Sequence, residues 1–543
     1  MVLKNELDVS SAQESNHSHW VDWQPVSNRL RPALLLLLFF AVAVILQVPS
    51  GAYHAEFGGY PDEPAHYVTS LMVREYVLEL KPLSPIQFAQ NYYAHYPKVA
   101  LGHWPPLLYL IQALWMLLFS QARAVILLEL AATTGVLAFA VYLEGRRWFG
   151  TSAGILAGLL LLCLPIVQVY TDEEMSEILL VLTCFWSTIF FARYVDSERW
   201  QDSMWFGIFF ALAVLTKGSG WLLVIVPPIV LLLTQKLRLL FRRSFWLSAL
   251  IVAVLCIPWQ LMTMRMAERG WTGGSQPNIT YTLGALAKLL GVVWTILGPA
   301  LAVLCAIGVL VSVVRKRISS PVAAVFALLV ADWIFHAIVP AGVEERKMII
   351  AVPSLVLFVF AGGLWVANHL PMRGSLARWR SALVFIVAAL LFFLQTFAIP
   401  REKHYGYTEA ARFITSDSRL RGANILVSSE SVGEGLLVSE VAMREPHPEH
   451  IIIRATKALA EADWNATNYH AFFSTPAQIL EYLDRHKIAV VVIDSFSGQN
   501  KFAHHELLRK TIDESGRFQP IATFGPGNQE VSGEINVYRF AER

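Results

Sequence analysis

The chain has 543 residues, of which 55% are hydrophobic and only 15% charged. Soluble domains carry about 25% charged residues, so this composition indicates a membrane protein rather than an ordinary soluble enzyme. A formal net charge of +2 leaves no excess of cations for a phosphate backbone, which excludes nucleic acid as a partner.

Residues 1–31 are polar and end with Arg29 and Arg31 against the run ALLLLLFFAVAVILQV. The leader is longer than that of a signal peptide, so the run reads as a retained first span, with the segment VPSGAYHAEF after it kept rather than cleaved. Spans are expected at 32–48, 124–143, 151–170, 178–195, 203–216, 219–234, 245–262, 288–313, 320–339, 347–368 and 381–399, each near the roughly 20 residues that cross a bilayer. The run at 105–119 opens on two prolines and reaches only about 22 Å as a helix, short of a hydrocarbon core of about 30 Å. The cysteines Cys163, Cys184, Cys256 and Cys305 all lie in apolar runs and read as small core residues, not a disulfide framework.

Charge bias decides the status of 105–119. If it does not cross, one set of short loops holds fourteen cations, from Arg146-Arg147 to Arg378 and Arg380. The other set holds six: Lys217, Arg265, Arg269, Lys288, Arg346 and Lys347. Cytoplasmic loops are the cation-rich ones, so 105–119 reads as an interfacial or re-entrant helix within a first outer loop, 49–123. The expectation is eleven spans, with residues 1–31 as a cytoplasmic tail and the C-terminus extracytoplasmic. YPDEPAHY (60–67), TDEEMSE (171–177), LTKGSG (215–220), VEERK (343–347) and residues 400–543 then share the outer face.

Residues 400–543 change character. ANILVSSE, IAVVVID and INVYRF read as short buried strands, and TEAARFITS, PAQILEYLDRH and AHHELLRKTIDESG as helices between them, which is the pattern of a small α/β domain. SSESVGEG has glycines but neither a GxGxxG nor a P-loop pattern, and reads as a plain turn.

The outer motifs carry the chemistry. In YPDEPAHY, Asp62 suits a helix N-cap and Glu63 its first turn, while helical spacing sets Asp62 and His66 on one face with Arg74 further along. The acids of TDEEMSE form a turn with no cation in it; Asp172 and Glu173 are its candidate participants. Lys217 is the sole cation of LTKGSG, Arg346 lies at a span start, and the first loop offers His95, Lys98 and His103 among aromatics. No spacing there demands a metal. Acids at two turns and cations at several positions on one face suit transfer of a sugar from a lipid phosphate. The departing phosphate needs only cations, Lys217, Arg346 and Lys98. The acceptor hydroxyl needs a base, and a positioned aspartate contributes roughly 10²–10⁴ in rate.

YPDEPAHY, GHWPPLLYL, GRRWFG, VYTDEEMSE, LTKGSG and ERKMIIAVPSL follow the order seen in protein O-mannosyltransferases and lipid A aminoarabinose transferases. Over roughly 30–400 the chain resembles that branch of the C-type (GT-C) integral-membrane glycosyltransferases. The resemblance implies a GT-C-like transmembrane domain over 32–399; the α/β domain read at 400–543 lies outside it. It further implies a polyprenyl-phosphate sugar as donor and a hydroxyl of a lipid, glycan or protein as acceptor, at the outer face of a cytoplasmic membrane. Asp62 falls at the family's catalytic base, with Glu63 beside it and the second acid at Asp172 or Glu173. Lys217 and Arg346, with Lys98 and the nearby His95 and His103, are the expected donor-phosphate contacts. An ERY-like motif reads ERK here, with Lys347 where an aromatic is common, and no obligatory metal or cofactor is expected. The rival reading is a transporter or lipid flippase, which would place ionisable groups deep within spans; Asp332 and Glu129 are the two to check.

Overall fold

The computed structural model describes residues 30–79, 84–100, 102–271, 278–314, 318–340, 342–370, 386, 387, 390, 400–461, 468–496, 502–527 and 532–541. The span expected at 381–399 falls almost wholly outside these residues, as does most of the tail 1–31. Among the described residues, seven helices are long and apolar enough to cross a membrane: Pro32–Ser50, Arg123–Phe149, Glu177–Ser197, Arg243–Met264, Ile279–Val313, Ser320–Ile338 and Glu345–His369. Thr151–Cys163 and Pro165–Asp172 form an eighth if counted as one span bent by 63°; Pro165 sits at the first turn of the second piece, where its missing N–H costs nothing.

The remaining apolar runs differ from a simple span. Residues 219–234 divide into a 3-10 turn, Gly218–Val224, and a short helix, Val226–Leu233. The gap left between the spans expected at 245–262 and 288–313 shrinks, because helix Arg243–Trp271 runs past 262 and the next helix starts at Ile279. Leu107–Leu118 is a 12-residue helix, about 18 Å long and too short to cross. It buries Leu108, Tyr109 and Met116 and exposes Leu110, Leu114 and Leu118.

Helices Ile279–Val313 and Val352–His369 cross in backbone contact. A Cβ on Gly308 would fall 1.8 Å from the Phe358 carbonyl oxygen, and one on Gly362 would fall 1.9 Å from that of Leu304. Small residues at such crossings let backbones approach where lipid supplies no hydrophobic drive.

In the C-terminal region, strands β1 (Asn424–Ser428), β2 (Ile451–Arg454), β5 (Ile488–Asp494), β6 (Phe518–Phe524) and β7 (Ile535–Phe540) form one sheet in the order β2-β1-β5-β7-β6. The short β3 (Ala460–Glu461) and β4 (His470–Ala471) pair separately. β1 lies parallel to β2 and β5, while β7 is antiparallel to β5 and β6. Side-chain alternation sends Ile425 and Val427 into one core and Leu426 into another. The first of these is shared: Phe57, Tyr67, Val68 and Leu71 of the first loop pack in the same cluster as Leu436, Leu437, Val441 and Ile452. The stretch read as a turn, SVGEG, instead opens helix Ser431–Arg444, which lies against helix Glu63–Glu79.

Candidate active site

Four element ends converge on Glu177. It begins helix Glu177–Ser197, where the helix dipole favours an anion, and it is buried. Lys217, which follows the last turn of Trp200–Thr216, donates to Glu177 Oε1 at 2.6 Å. Arg346, in the 3-10 turn Glu345–Ala351, lies 3.8 Å from Glu177, 3.9 Å from Asp62 and 3.7 Å from Glu344. All three separations exceed hydrogen-bonding distance. The guanidinium stacks over Tyr60 at 4.2 Å, and its Nε is buried with no hydrogen-bond partner among the described residues.

Asp62 occupies the N-cap position of helix Glu63–Glu79, and its backbone carbonyl accepts from Ala65 and His66. Among the described residues its carboxylate accepts no hydrogen bond; Arg346 at 3.9 Å is its partner. Burial raises the Asp62 pKa above the usual aspartate range, and Arg346 and Lys217 offset this only in part. The cap position is therefore filled by the residue while its charge faces the cation.

His66 is buried against Trp104, with ring centroids 4.6 Å apart, and its Nδ1 meets the Tyr109 hydroxyl at 3.1 Å. Burial lowers its pKa to about 3, so the ring is neutral. Lys98 reaches the Pro61 carbonyl at 3.3 Å; burial, and next the Arg454 charge, lower its pKa to about 7.

The other expected acids form a second group. Glu63 is fully buried and accepts from the Gly59 N–H at 2.9 Å and the Glu174 N–H at 2.7 Å. Arg123 lies 4.0 Å from Glu63 and donates to the carbonyls of Ala52 and Asp172. Asp172 and Glu173 are buried beside them. Burial and then repulsion from Glu63 raise the Glu173 pKa, so it holds its proton more tightly than an ordinary glutamate.

The structure thus brings Asp62, Lys217 and Arg346 together, with Lys98 at the Pro61 carbonyl, and sets Glu63, Asp172 and Glu173 around Arg123. His95 is elsewhere: its Nδ1 donates to the His450 carbonyl at 3.0 Å, tying the first loop to the C-terminal region. His103 packs edge-on to Trp104. Arg74 pairs with Glu75 and Gln121 and takes no part. Glu177 and Tyr60 are the residues that sequence reasoning passed over; an acid opening a span directly after an acidic turn was the available signal. Of the two mid-span acids, Asp332 is bonded on both oxygens, while Glu129 is bonded on Oε1 and its buried Oε2 has no partner among the described residues. Asp332 accepts from His336 Nδ1 and the Ala351 N–H, each at 2.9 Å, and Glu129 accepts from Thr133 at 2.9 Å.

The bundle of membrane-length helices, with a charged cluster at its helix ends, a helical first loop and an appended sheet region, has a fold shared with solved GT-C structures. Residues 103–261 match the family profile described as dolichyl-phosphate-mannose-protein mannosyltransferase. The chain is similar in structure to ArnT from Cupriavidus metallidurans bound to undecaprenyl phosphate, with TM-score 0.55, 13% identity, and 93% of this chain and 97% of that one covered. It is also similar to the Archaeoglobus fulgidus oligosaccharyltransferase in the apo form, with TM-score 0.56, 15% identity, and 86% and 70% coverage. The archaeal oligosaccharyltransferase AglB from Archaeoglobus fulgidus, in complex with an inhibitory peptide and a dolichol-phosphate, matches with TM-score 0.50, 15% identity, and 84% and 69% coverage. None of the curated proteins matches the chain by sequence. The resemblance drawn from motif order therefore holds for the fold along nearly the whole chain and for the sequence profile over 103–261.

Proposed function

We propose that this protein transfers a sugar from a polyprenyl-phosphate donor to a hydroxyl acceptor, with Asp62 as general base and Arg346 and Lys217 receiving the lipid phosphate. The observation that carries this is the state of two facing charges. Arg346 stands near three carboxylates and hydrogen-bonds to none of them, and the Asp62 carboxylate beside it accepts no hydrogen bond among the described residues. Such a guanidinium is free to meet a phosphate in its forked geometry. In the reaction the bond between C1 of the sugar and the phosphate oxygen breaks, and the phosphate leaves with the electron pair. The acceptor oxygen bonds to C1 and gives its proton to Asp62. The raised Asp62 pKa makes it a better base than an exposed aspartate. Glu177 holds the two cations in place without touching substrate, and Glu63, Asp172 and Glu173 act by fixing the turn at 172–174 against the first loop.

We place this cluster at the outer face of a cytoplasmic membrane, with the chain start inside and residues 400–543 outside as a distinct domain, on the strength of the charge bias between loops. The likeness in fold to a protein bound to undecaprenyl phosphate supports the class of donor, and a hydroxyl on lipid, glycan or protein is the acceptor class. The test is reconstitution of the full chain in liposomes with a radiolabelled polyprenyl-phosphate sugar and a membrane extract as acceptor. Label should move to an acceptor with release of polyprenyl phosphate, and Asp62→Asn should stop the transfer while still binding polyprenyl phosphate. Transfer by Asp62→Asn at the wild-type rate contradicts the base assignment, and absence of transfer in the wild type contradicts the activity.

A further inference from the structure

A second polar site lies apart from the Asp62 cluster, where the first loop meets the start of the C-terminal region. His404 Nδ1 is 2.9 Å from the His54 carbonyl oxygen, an acceptor only, so Nδ1 carries a proton. Nε2 then faces Glu409 Oε2 at 3.0 Å. In a neutral imidazole these are two lone pairs pointing at one another, and something positive has to stand between them. Glu56 closes the group from the first loop. Its Oε1 accepts from the Gly406 and Thr408 N–H groups at 3.1 and 2.7 Å, while among the described residues its Oε2 accepts only from the Tyr405 N–H, at 2.8 Å, which leaves a lone pair. One ligand atom from each of Glu56, His404 and Glu409 lies within 4.8 Å of the others.

The geometry points to a divalent metal site of the zinc class, formed by Glu56, His404 and Glu409, that cross-ties the first loop to the C-terminal region. Zinc takes histidine nitrogen and glutamate oxygen at about 2.0–2.2 Å, and in tetrahedral sites this sets ligand atoms roughly 3.3–3.5 Å apart. The ligand atoms here span the range from 3.0 Å to within 4.8 Å, so closing on an ion takes only side-chain movement. Two features hold the imidazole ready. The backbone carbonyl on Nδ1 fixes its tautomer and orientation, which is the usual outer support of a histidine ligand. Gly527 backs the ring so closely that a Cβ there would fall 2.4 Å from His404 Cδ2. Glu409 is partly exposed, giving an ion a path in and leaving a coordination position for water. The metal serves the fold rather than the reaction, so this inference does not rest on glycosyl transfer.

The alternative to a metal is a proton on Nε2, and the two are separable. Full-length protein stripped with chelator, loaded with zinc chloride and desalted should retain about one zinc per chain, and zinc should raise its unfolding midpoint. His404→Ala, and Glu409→Gln at a partly exposed position that leaves folding intact, should each weaken zinc binding by about 10–100-fold and abolish the thermal shift. Glu173→Gln, in the neighbouring acid cluster, should leave zinc binding unchanged. Retention of less than stoichiometric zinc by the wild type overturns the site in favour of the proton. Unaltered zinc binding in His404→Ala, or its loss in Glu173→Gln, overturns the assignment of ligands.

Discussion

At Glu63 the two carboxylate oxygens accept backbone N–H groups, one from Gly59 and one from Glu174. One residue earlier, the Asp62 carboxylate accepts none among the described residues and faces a guanidinium 3.9 Å away. The contrast extends to whole neighbourhoods. Around Arg123, Glu63, Asp172 and Glu173 are buried together, and Arg123 spends its donors on the carbonyls of Ala52 and Asp172. Around Glu177, the acids Asp62, Glu177 and Glu344 face the cations Lys217 and Arg346, and among these only the Lys217–Glu177 bond is closed, at 2.6 Å. Adjacent acids, Glu63 fully buried and Asp62 half-buried, therefore differ in whether their hydrogen bonds are already used. A group whose bonds are spent on backbone holds the fold; one whose bonds are open can take a substrate.

Several substitutions would break or sharpen that contrast. The largest effect is expected at Asp62: Asp62→Asn should lower the transfer rate by about 10²–10⁴ while leaving the unfolding midpoint near wild type. The same residue sets the acid limb of the pH–rate profile. A base must be deprotonated, so transfer should fall as pH is lowered through the Asp62 pKa. Because burial raises that pKa, the midpoint should lie above the ordinary aspartate value of about 3.9. Next in size, Arg346→Ala should cost about 10²–10³ in transfer rate, and Arg346→Lys should not recover it, since an ammonium lacks the forked donors. Lys217→Ala should raise the donor KM, as measured by titration with polyprenyl-phosphate sugar.

Smaller effects, on stability alone, are expected in the Arg123 group. Glu63→Gln replaces an acceptor oxygen by an amide group facing an N–H, and should lower unfolding stability by about 1–3 kcal/mol. The smallest concerns Glu173. Its folded pKa is raised, so its contribution to stability is fully present below the unfolded glutamate value of about 4.3 and is lost as pH rises through the folded pKa. Stability should decline toward alkaline pH, and Glu173→Gln should flatten that decline in a thermal-unfolding series.

Lys217 and Arg346 were legible because they stand at the ends of apolar runs, and Asp62 because it lies in an acidic motif of the first outer loop, where a charge is easy to see and its sidedness can be argued. The choice among the acids of TDEEMSE was not legible. Asp172 and Glu173 fall in a turn directed at Arg123, while Glu177 begins the next helix, and only the fold shows that this start faces Lys217 and Arg346. In the C-terminal region β1, β5 and β7 were read from their apolar runs. β6 was missed because Pro520 interrupts it; it is an edge strand, where a missing N–H is tolerated. β2 is only four residues long. Gly433 and Gly435 made SVGEG look like a turn, yet they serve packing. A Cβ on Gly435 would meet Lys98 and Pro64 of the first loop, and one on Gly433 would meet Ser429 and Tyr407. Neither contact has a signature along the chain.

The most direct test is the transfer rate of Asp62→Asn set against that of Glu63→Gln, each measured per folded molecule in the same reconstituted membranes. The expected result is a loss of about 10²–10⁴ for Asp62→Asn and a rate within about threefold of wild type for Glu63→Gln. Equal losses in the two variants, or the larger loss at Glu63, would contradict the division between the two groups.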